Sequence, residues 1–220
     1  MAESTTQPAG LNREMEEAGF YHEAALNGTW TATRLAMGGL SFLFGSFVFA
    51  YFYLRSLNSD GRWHGSGFKQ PSVALGTIIM ALIVISAVVH YISLQQIKKG
   101  SKSAWQTGGW IALVLGLAAV ALQIIELLKL PFYPGSSGFA SVFVSTNPVL
   151  LLIWFCAMLW LETLLMRARR IPAISFVEQP PTFDEVFTVQ RFQAALSGFA
   201  ATWNYLAAVT IVFWVLFYVL

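Results

Sequence analysis

The sequence predicts an all-α polytopic membrane protein built as a bundle of five transmembrane helices. Hydrophobic residues make up 56% of the 220 positions and charged residues only 11%, whereas soluble domains carry about a quarter charged residues. The charges also fall into short blocks between five apolar runs, and each run is close to the roughly 20 residues that cross the hydrocarbon of a bilayer. Composition and spacing together exclude a soluble domain.

The chain divides into a polar tail and a membrane domain. Residues 1–28 lack a long apolar run and are predicted to form a cytoplasmic tail, in which Asn12–Leu26 is a candidate short helix. Residues 29–220 form the five-helix membrane domain. Its predicted spans cover residues 33–54, 72–97, 105–130, 141–166 and 199–220.

Basic residues bracket span 1, and small residues line one of its faces. Arg34 lies near its start and Arg55 closes it, as interfacial anchors do. Gly38, Ser41 and Gly45 follow one another at helical spacing, which predicts a face for close packing against another helix.

The longest connection joins spans 4 and 5 and contains Pro172, Pro180 and Pro181. Proline lacks the backbone N–H that a helix interior requires, so these residues argue against a continuous helix. Phe183–Leu196 is therefore a candidate for a separate, short amphipathic helix that lies along the membrane interface.

The placement of lysine and arginine predicts the orientation of the chain. With the N-terminus inside, the inner segments hold nine of the 13 Lys and Arg residues and the outer segments hold the other four. Cytoplasmic loops carry an excess of these residues. The N-terminus is therefore predicted to be cytoplasmic and, after five spans, the C-terminus to lie outside.

Span 3 carries a polar stripe inside its apolar run. Gly116, Ala119, Gln123 and Glu126 follow a 3-4-3 spacing and so share one helical face. At 1.5 Å per residue, Glu126 lies about 6 Å from the end of the span at Leu130. This places the carboxyl in the outer third of the bilayer.

A carboxyl at this depth is a candidate functional site, and two interpretations of Glu126 are open. In the first, it forms hydrogen bonds inside the bundle or to a neighbouring subunit and holds the helices in register. In the second, it exchanges protons. Lys129 lies three residues further on and is a candidate ion-pair partner, which favours the first interpretation.

Two further sets of residues are candidate sites. His90 and Glu162 both fall near the inner ends of their spans and are a candidate polar pair. The Arg167–Arg170 cluster suits phospholipid headgroups as well as marking the inner side. Further candidate contacts to headgroups are Arg34, Arg55 and Arg62.

The residues needed for redox or hydrolytic chemistry are sparse. Cys156 is the single cysteine, and the three histidines, His22, His64 and His90, are dispersed along the chain. Haem and copper sites need imidazoles that converge in one place. A Gly-rich phosphate loop and a GxSxG motif are also absent. We therefore predict no catalytic, cofactor-binding or metal site in this chain, and no nucleic-acid partner.

Four segments resemble subunit III of the haem–copper cytochrome c and quinol oxidases, in its five-span form. Span 3 reads LGLAAVALQIIELLKL, similar to the family's LG…LQxxE pattern, which places Gln123 and Glu126 on the family's glutamine and glutamate. Span 1 ends FGSFVFAYFYLR, and span 4 is preceded by GFASVFVST. The final WNYLAAVTIVFWVLFYVL resembles the family's closing segment, so the resemblance covers residues 30–220.

The resemblance implies a non-catalytic subunit of a respiratory terminal oxidase. Such a subunit packs beside subunit I, and here also subunit II, binds phospholipid, and protects the oxidase from inactivation during turnover. Haem and copper are then expected in the partner subunits and not in this chain. The resemblance further implies a hetero-oligomer in the bacterial cytoplasmic membrane that reduces oxygen with electrons from cytochrome c or quinol.

Departures from the family pattern are also present. Span 1 contains no acid, the two histidines at the start of span 4 are missing, and Asn204 and Ala207 replace a histidine and an aspartate in span 5. Any role of those residues in proton uptake is therefore not carried over. Alternatives are a subunit III-like accessory protein of a nitric oxide reductase or another electron-transfer complex, and a small secondary transporter that couples through Glu126. A membrane-embedded enzyme is disfavoured.

Overall fold

The computed structural model describes residues 9–58, 60–65, 67, 69–171, 174–177 and 183–220. Within these residues the chain forms five α-helices and contains no strand. The helices are α1 (Ala9–Leu57), α2 (Val73–Lys98), α3 (Lys102–Leu128), α4 (Gly138–Arg170) and α5 (Phe183–Trp214), and α5 continues as a π-helical turn, Val215–Val219.

Every one of the five helices contains a segment long and apolar enough to cross a membrane. Each predicted span overlaps one helix, so the prediction of an all-helical chain with five helices able to span a membrane is confirmed for the described residues. The cytoplasmic N-terminus and the external C-terminus stay predictions. Residues 1–8 of the predicted tail lie outside the described residues.

Serine caps begin three of the helices at the positions where the apolar runs start. Ser72, Ser101 and Ser137 have extended backbones, and each side chain accepts a hydrogen bond from the backbone N–H three residues further on. Such bonds satisfy donors that the first helical turn leaves unpaired. Between α2 and α3, Gly100 adopts φ +100°, which makes a turn tight enough for the two helices to pack as an antiparallel pair.

The first and last helices are longer than the sequence predicted. α1 runs from Ala9 through to Leu57 without a break at the end of the polar tail. Phe183–Leu196 is the first part of α5, so the prediction of a separate interfacial helix is wrong. The reason is that its apolar face, with Val189, Phe192 and Leu196, is buried in the bundle and continues the core-facing stripe of α5. Pro172, Pro180 and Pro181 lie outside the described residues.

Glycines let α3 approach both of its neighbours closely. A Cβ atom added at Gly108 would lie 1.8 Å from Ser93 Oγ of α2, and one added at Gly116 would lie 2.2 Å from Met158 Sδ of α4. Ala119, Gln123 and Glu126, on the same face as Gly116, are buried. The predicted small and polar stripe of α3 therefore faces other helices of this chain.

The glycine stripe of α1 forms no close contact within the described chain. A Cβ atom added at Gly38 or Gly45 would meet nothing within 4 Å, and only Ser41 bonds across, to the Tyr205 hydroxyl at 2.9 Å. α1 instead turns Phe44 and Tyr51 inward. It lies at the edge of the bundle, since 11% of its apolar window is buried, against 33–50% in the other helices.

We expect Gly108→Ala to destabilise the protein by about 1–3 kcal/mol, because the added methyl overpacks the contact with Ser93. Gly45→Ala is the matched control, since the same change there meets open space and improves helix propensity. Thermal unfolding in detergent checks both variants. Equal melting temperatures for the two would contradict the close α2–α3 contact.

Candidate functional site

Glu126 is buried, with 3% of the residue's surface exposed, and both oxygens of its carboxyl group accept hydrogen bonds. The Tyr218 hydroxyl donates to Oε1 at 2.6 Å, and Gln123 Nε2 donates to Oε2 at 3.1 Å. Gln123 and Glu126, predicted together from the sequence, therefore form a direct pair. Tyr218 adds a bond from α5 that the sequence did not indicate.

The same network extends to α4. Gln123 Nε2 also points to Asn147 Oδ1 at 3.4 Å, and Asn147 Nδ2 donates to the Phe143 carbonyl at 3.0 Å. Asn147 is 7% exposed. We call Gln123, Glu126, Asn147 and Tyr218 the Glu126 network. It joins α3, α4 and the C-terminal turn of α5 through polar contacts in an otherwise apolar bundle.

The π-helical turn at the end of α5 carries Tyr218 to the carboxyl. A Cβ atom added at Gly76 of α2 would lie 2.3 Å from Tyr218 Cζ, so the ring reaches Glu126 across a point where α2 has no side chain. Trp214 Nε1 donates to Thr77 Oγ1 at 3.1 Å and ties the preceding turn to the same helix. π-Helical turns are often found at functional sites.

Lys129 does not pair with Glu126, so that expectation is wrong. Lys129 caps the C-terminus of α3, directly after Leu128. Its side chain is exposed, and its backbone N–H bonds to the carbonyls of Ile125 and Glu126. The carboxyl lies on the buried face and is satisfied there by neutral donors. Within the described chain no ion pair reaches it.

His90 and Glu162 are not joined in the structure. His90 is 1% exposed, and its ring packs edge-on against Phe199 with the centroids 4.9 Å apart. Glu162 is exposed and lines a surface cleft beside Arg167 and Arg169. Within the described residues, no hydrogen bond or ion pair joins these two side chains.

The three arginines predicted to contact headgroups lie apart from one another. Arg34 and Arg62 are exposed. Arg55 is half-buried, donates to the Tyr51 hydroxyl at 3.3 Å and places its guanidinium 5.9 Å from the centre of the Tyr51 ring. Their contacts with lipid stay a prediction.

A second surface cleft, lined by three arginines, lies where α4 ends and α5 begins. It has a volume of about 530 Å³ and combines cationic side chains with an apolar wall. The sequence identified Arg167–Arg170 as a cluster but did not associate Arg191 with it. The lining residues are Thr29, Arg167, Arg170, Ile171, Phe187, Thr188, Arg191, Phe192 and Ala195.

No three His, Cys, Asp or Glu side chains of the described residues come close enough to hold a metal ion. Cys156 is exposed on α4. The placement of haem and copper in partner subunits stays a prediction.

Comparison with known proteins supports the resemblance seen in the sequence. No protein-family model matches the chain. The chain is similar to a protein of Alkalihalophilus pseudofirmus named cytochrome c oxidase subunit 3, with 27% identity over 149 residues, which cover 66% of this chain and 69% of that relative. A role at the level of an oxidase subunit III is therefore supported.

We expect Tyr218→Phe to destabilise the protein by about 1–3 kcal/mol, because it removes one of the two donors to a buried carboxyl. Tyr205→Phe is the matched control on the same helix, since the Tyr205 hydroxyl only accepts a bond from an exposed serine. Thermal unfolding in detergent measures both. A Tyr218→Phe protein as stable as Tyr205→Phe would contradict the importance of this bond.

Proposed function

We propose that this chain is a non-catalytic subunit III of a respiratory terminal oxidase, which reduces oxygen with electrons from cytochrome c or quinol. It packs beside catalytic subunit I, with subunit II in the same hetero-oligomer, in the bacterial cytoplasmic membrane. Haem and copper are held by the partner subunits. The observation that carries this proposal is the similarity to a cytochrome c oxidase subunit 3 over about two thirds of each chain.

The arrangement of the helices supports a role in assembly. α1 exposes large apolar side chains along its length, among them Phe42 at 84% and Phe49 at 69%. A surface of this kind suits a lipid or protein environment inside the membrane. By contrast, the buried side chains of Gln123, Glu126 and Asn147 bond to one another in a network that is internal to the chain.

For Glu126, the contacts favour the structural interpretation over proton exchange. Both oxygens of the carboxyl are engaged by donors from α3 and α5. Breaking either bond would leave a buried polar group unsatisfied, which is costly. We therefore propose that Glu126 holds α5 against α3 and keeps the bundle in the shape that its partner recognises.

Lipid binding is the second part of the proposal. Arg55 lies near the end of α1 and Arg62 in the connection that follows, where headgroups are found, whereas Arg34 lies within the long helix α1, at the start of its predicted span. The cleft of Arg167, Arg170 and Arg191 provides cations beside an apolar wall, and basic pockets between transmembrane helices bind anionic headgroups.

Purification in mild detergent, followed by identification of the co-purifying chains, tests the function. We expect a haem-bearing partner with many membrane spans to be recovered with the chain. Recovery of the chain alone, as a stable homo-oligomer that drives uptake into liposomes, would instead support a transporter and contradict the proposal.

The same preparation separates the two interpretations of Glu126. We expect Glu126→Gln to leave oxygen reduction nearly unchanged, because its amide oxygen still accepts from Tyr218. Glu126→Leu removes both acceptors and is expected to loosen the complex, measured as loss of the partner on gel filtration. Slowed proton uptake in a fully assembled Glu126→Gln complex would show proton exchange.

A further inference from the structure

The cleft where α4 ends and α5 begins concentrates positive charge, and we call it the arginine cleft. Arg167 and Arg170 line it from the end of α4, and Arg191 lines it from α5. The described lining residues include neither an aspartate nor a glutamate. Within the part of the chain that the structure describes, no ion pair or hydrogen bond engages any of the three guanidinium groups. Three cations are therefore available to an anion.

An adjacent cleft on α4 is less suited to an anion. It shares the two α4 arginines with the arginine cleft but is also lined by Glu162, whose carboxylate repels negative charge. Arg169 lines this adjacent cleft and places its guanidinium 5.4 Å from the centre of the Trp110 ring. The more favourable potential for an anion therefore lies on the side of Arg191.

The walls of the arginine cleft are held in place by contacts with other helices. The Ile171 carbonyl, directly after α4, accepts a hydrogen bond from Lys102 Nζ of α3. The His22 ring of α1 stacks on Phe187 of α5, with the ring centroids 3.8 Å apart. Because the walls are already ordered, a ligand that binds between them loses less free energy to ordering the protein.

The size and the lining of the arginine cleft favour a ligand larger than an inorganic anion. The volume is about 530 Å³, within the range of clefts that bind drug-sized molecules. Phe192 is buried in the wall and Ala195 is half-buried. A small anion alone would leave this apolar surface uncovered, so the ligand combines an anionic group with a less polar remainder.

We propose that the arginine cleft binds a terminal phosphate group, a phosphomonoester of the kind that phosphatidic acid carries. Such a group has a charge of about −1.5 to −2 at pH 7 and three strong acceptor oxygens. Arginine pairs with phosphate oxygens through two parallel hydrogen bonds, so three guanidiniums match three oxygens. A phosphodiester headgroup offers two free oxygens and a single charge, and it leaves one guanidinium without a partner.

This inference rests on the proposed role of the cleft in lipid binding and deepens it by specifying the headgroup. A bound phosphomonoester joins Arg191 of α5 to the two arginines of α4, so it holds these helices together at the end where the chain connects them. A soluble phosphomonoester carries the same group, and the experiment separates the two sources.

The test compares two lipids that differ by one methyl group. The purified full-length chain, with any partner that accompanies it, is titrated in neutral detergent with phosphatidic acid or with its methyl ester, phosphatidylmethanol. Native mass spectrometry measures the bound lipid. We expect phosphatidic acid to bind about 10-fold more tightly, the order of one charge-assisted hydrogen bond.

Two arginine variants assign this preference to the cleft and not to a partner. Arg191→Gln is expected to abolish the preference for phosphatidic acid. Arg169→Gln is the matched control, because Arg169 belongs to the same basic cluster but does not line the arginine cleft, and it should keep the preference. If Arg191→Gln fails to fold, Arg170→Gln takes its place with the same expectation.

Competition with glycerol 3-phosphate identifies the source of the phosphate. Displacement of phosphatidic acid at equal concentration shows a soluble phosphomonoester as the ligand, and lack of displacement shows a lipid. Equal affinity for the two lipids, or a preference that survives in Arg191→Gln, would overturn the inference while leaving lipid binding in place. Binding of neither lipid nor glycerol 3-phosphate would overturn both, whereas the oxidase role is judged separately by the co-purifying partner.

Discussion

The burial of the Glu126 carboxyl is the constraint on which the packing of α5 against α3 depends. A buried polar group is tolerated only when its hydrogen bonds are satisfied, and no single neighbour satisfies this one. Gln123 comes from the same helix, whereas Tyr218 comes from the end of the chain. The π-helical turn of α5 and the missing side chain at Gly76 are the local features that bring Tyr218 within reach.

Aromatic packing surrounds this network and strengthens it. The Phe143 ring packs against the rings of Phe217 and Tyr218, with ring centroids 5.0 Å and 6.1 Å away. The tyrosine is therefore held in place by apolar contacts as well as by its hydrogen bond. Because the surroundings have a low dielectric constant, each hydrogen bond inside them is stronger than in water. The polar contacts and the aromatic cluster therefore act together to hold the end of α5 in place.

Much of the fold was predictable from the sequence, but only part of the site. Hydropathy and length identified the five spans, and helical spacing identified Gln123 and Glu126 as neighbours, because both signals are local. Tyr218 lies 92 residues from Glu126, and its contact follows from how α2, α3 and α5 pack, which spacing along the chain does not encode. Asn147, an isolated amide in an apolar span, carried the same kind of signal as Gln123 and could have been included. The expected ion pair between Lys129 and Glu126 was wrong because Glu126 lies on the buried face of α3, whereas Lys129 caps the helix with an exposed side chain.

The coupling between Glu126 and Tyr218 tests the central claim most directly. A double-mutant cycle of Glu126→Leu and Tyr218→Phe, measured as free energies of unfolding in detergent, isolates the interaction between the two side chains, because each change removes one partner of the hydrogen bond. Residues that share a network show couplings of about 0.5–3 kcal/mol, and we expect a value in this range. Strictly additive effects would show that the two groups act independently and would contradict a carboxyl that holds α5 to α3.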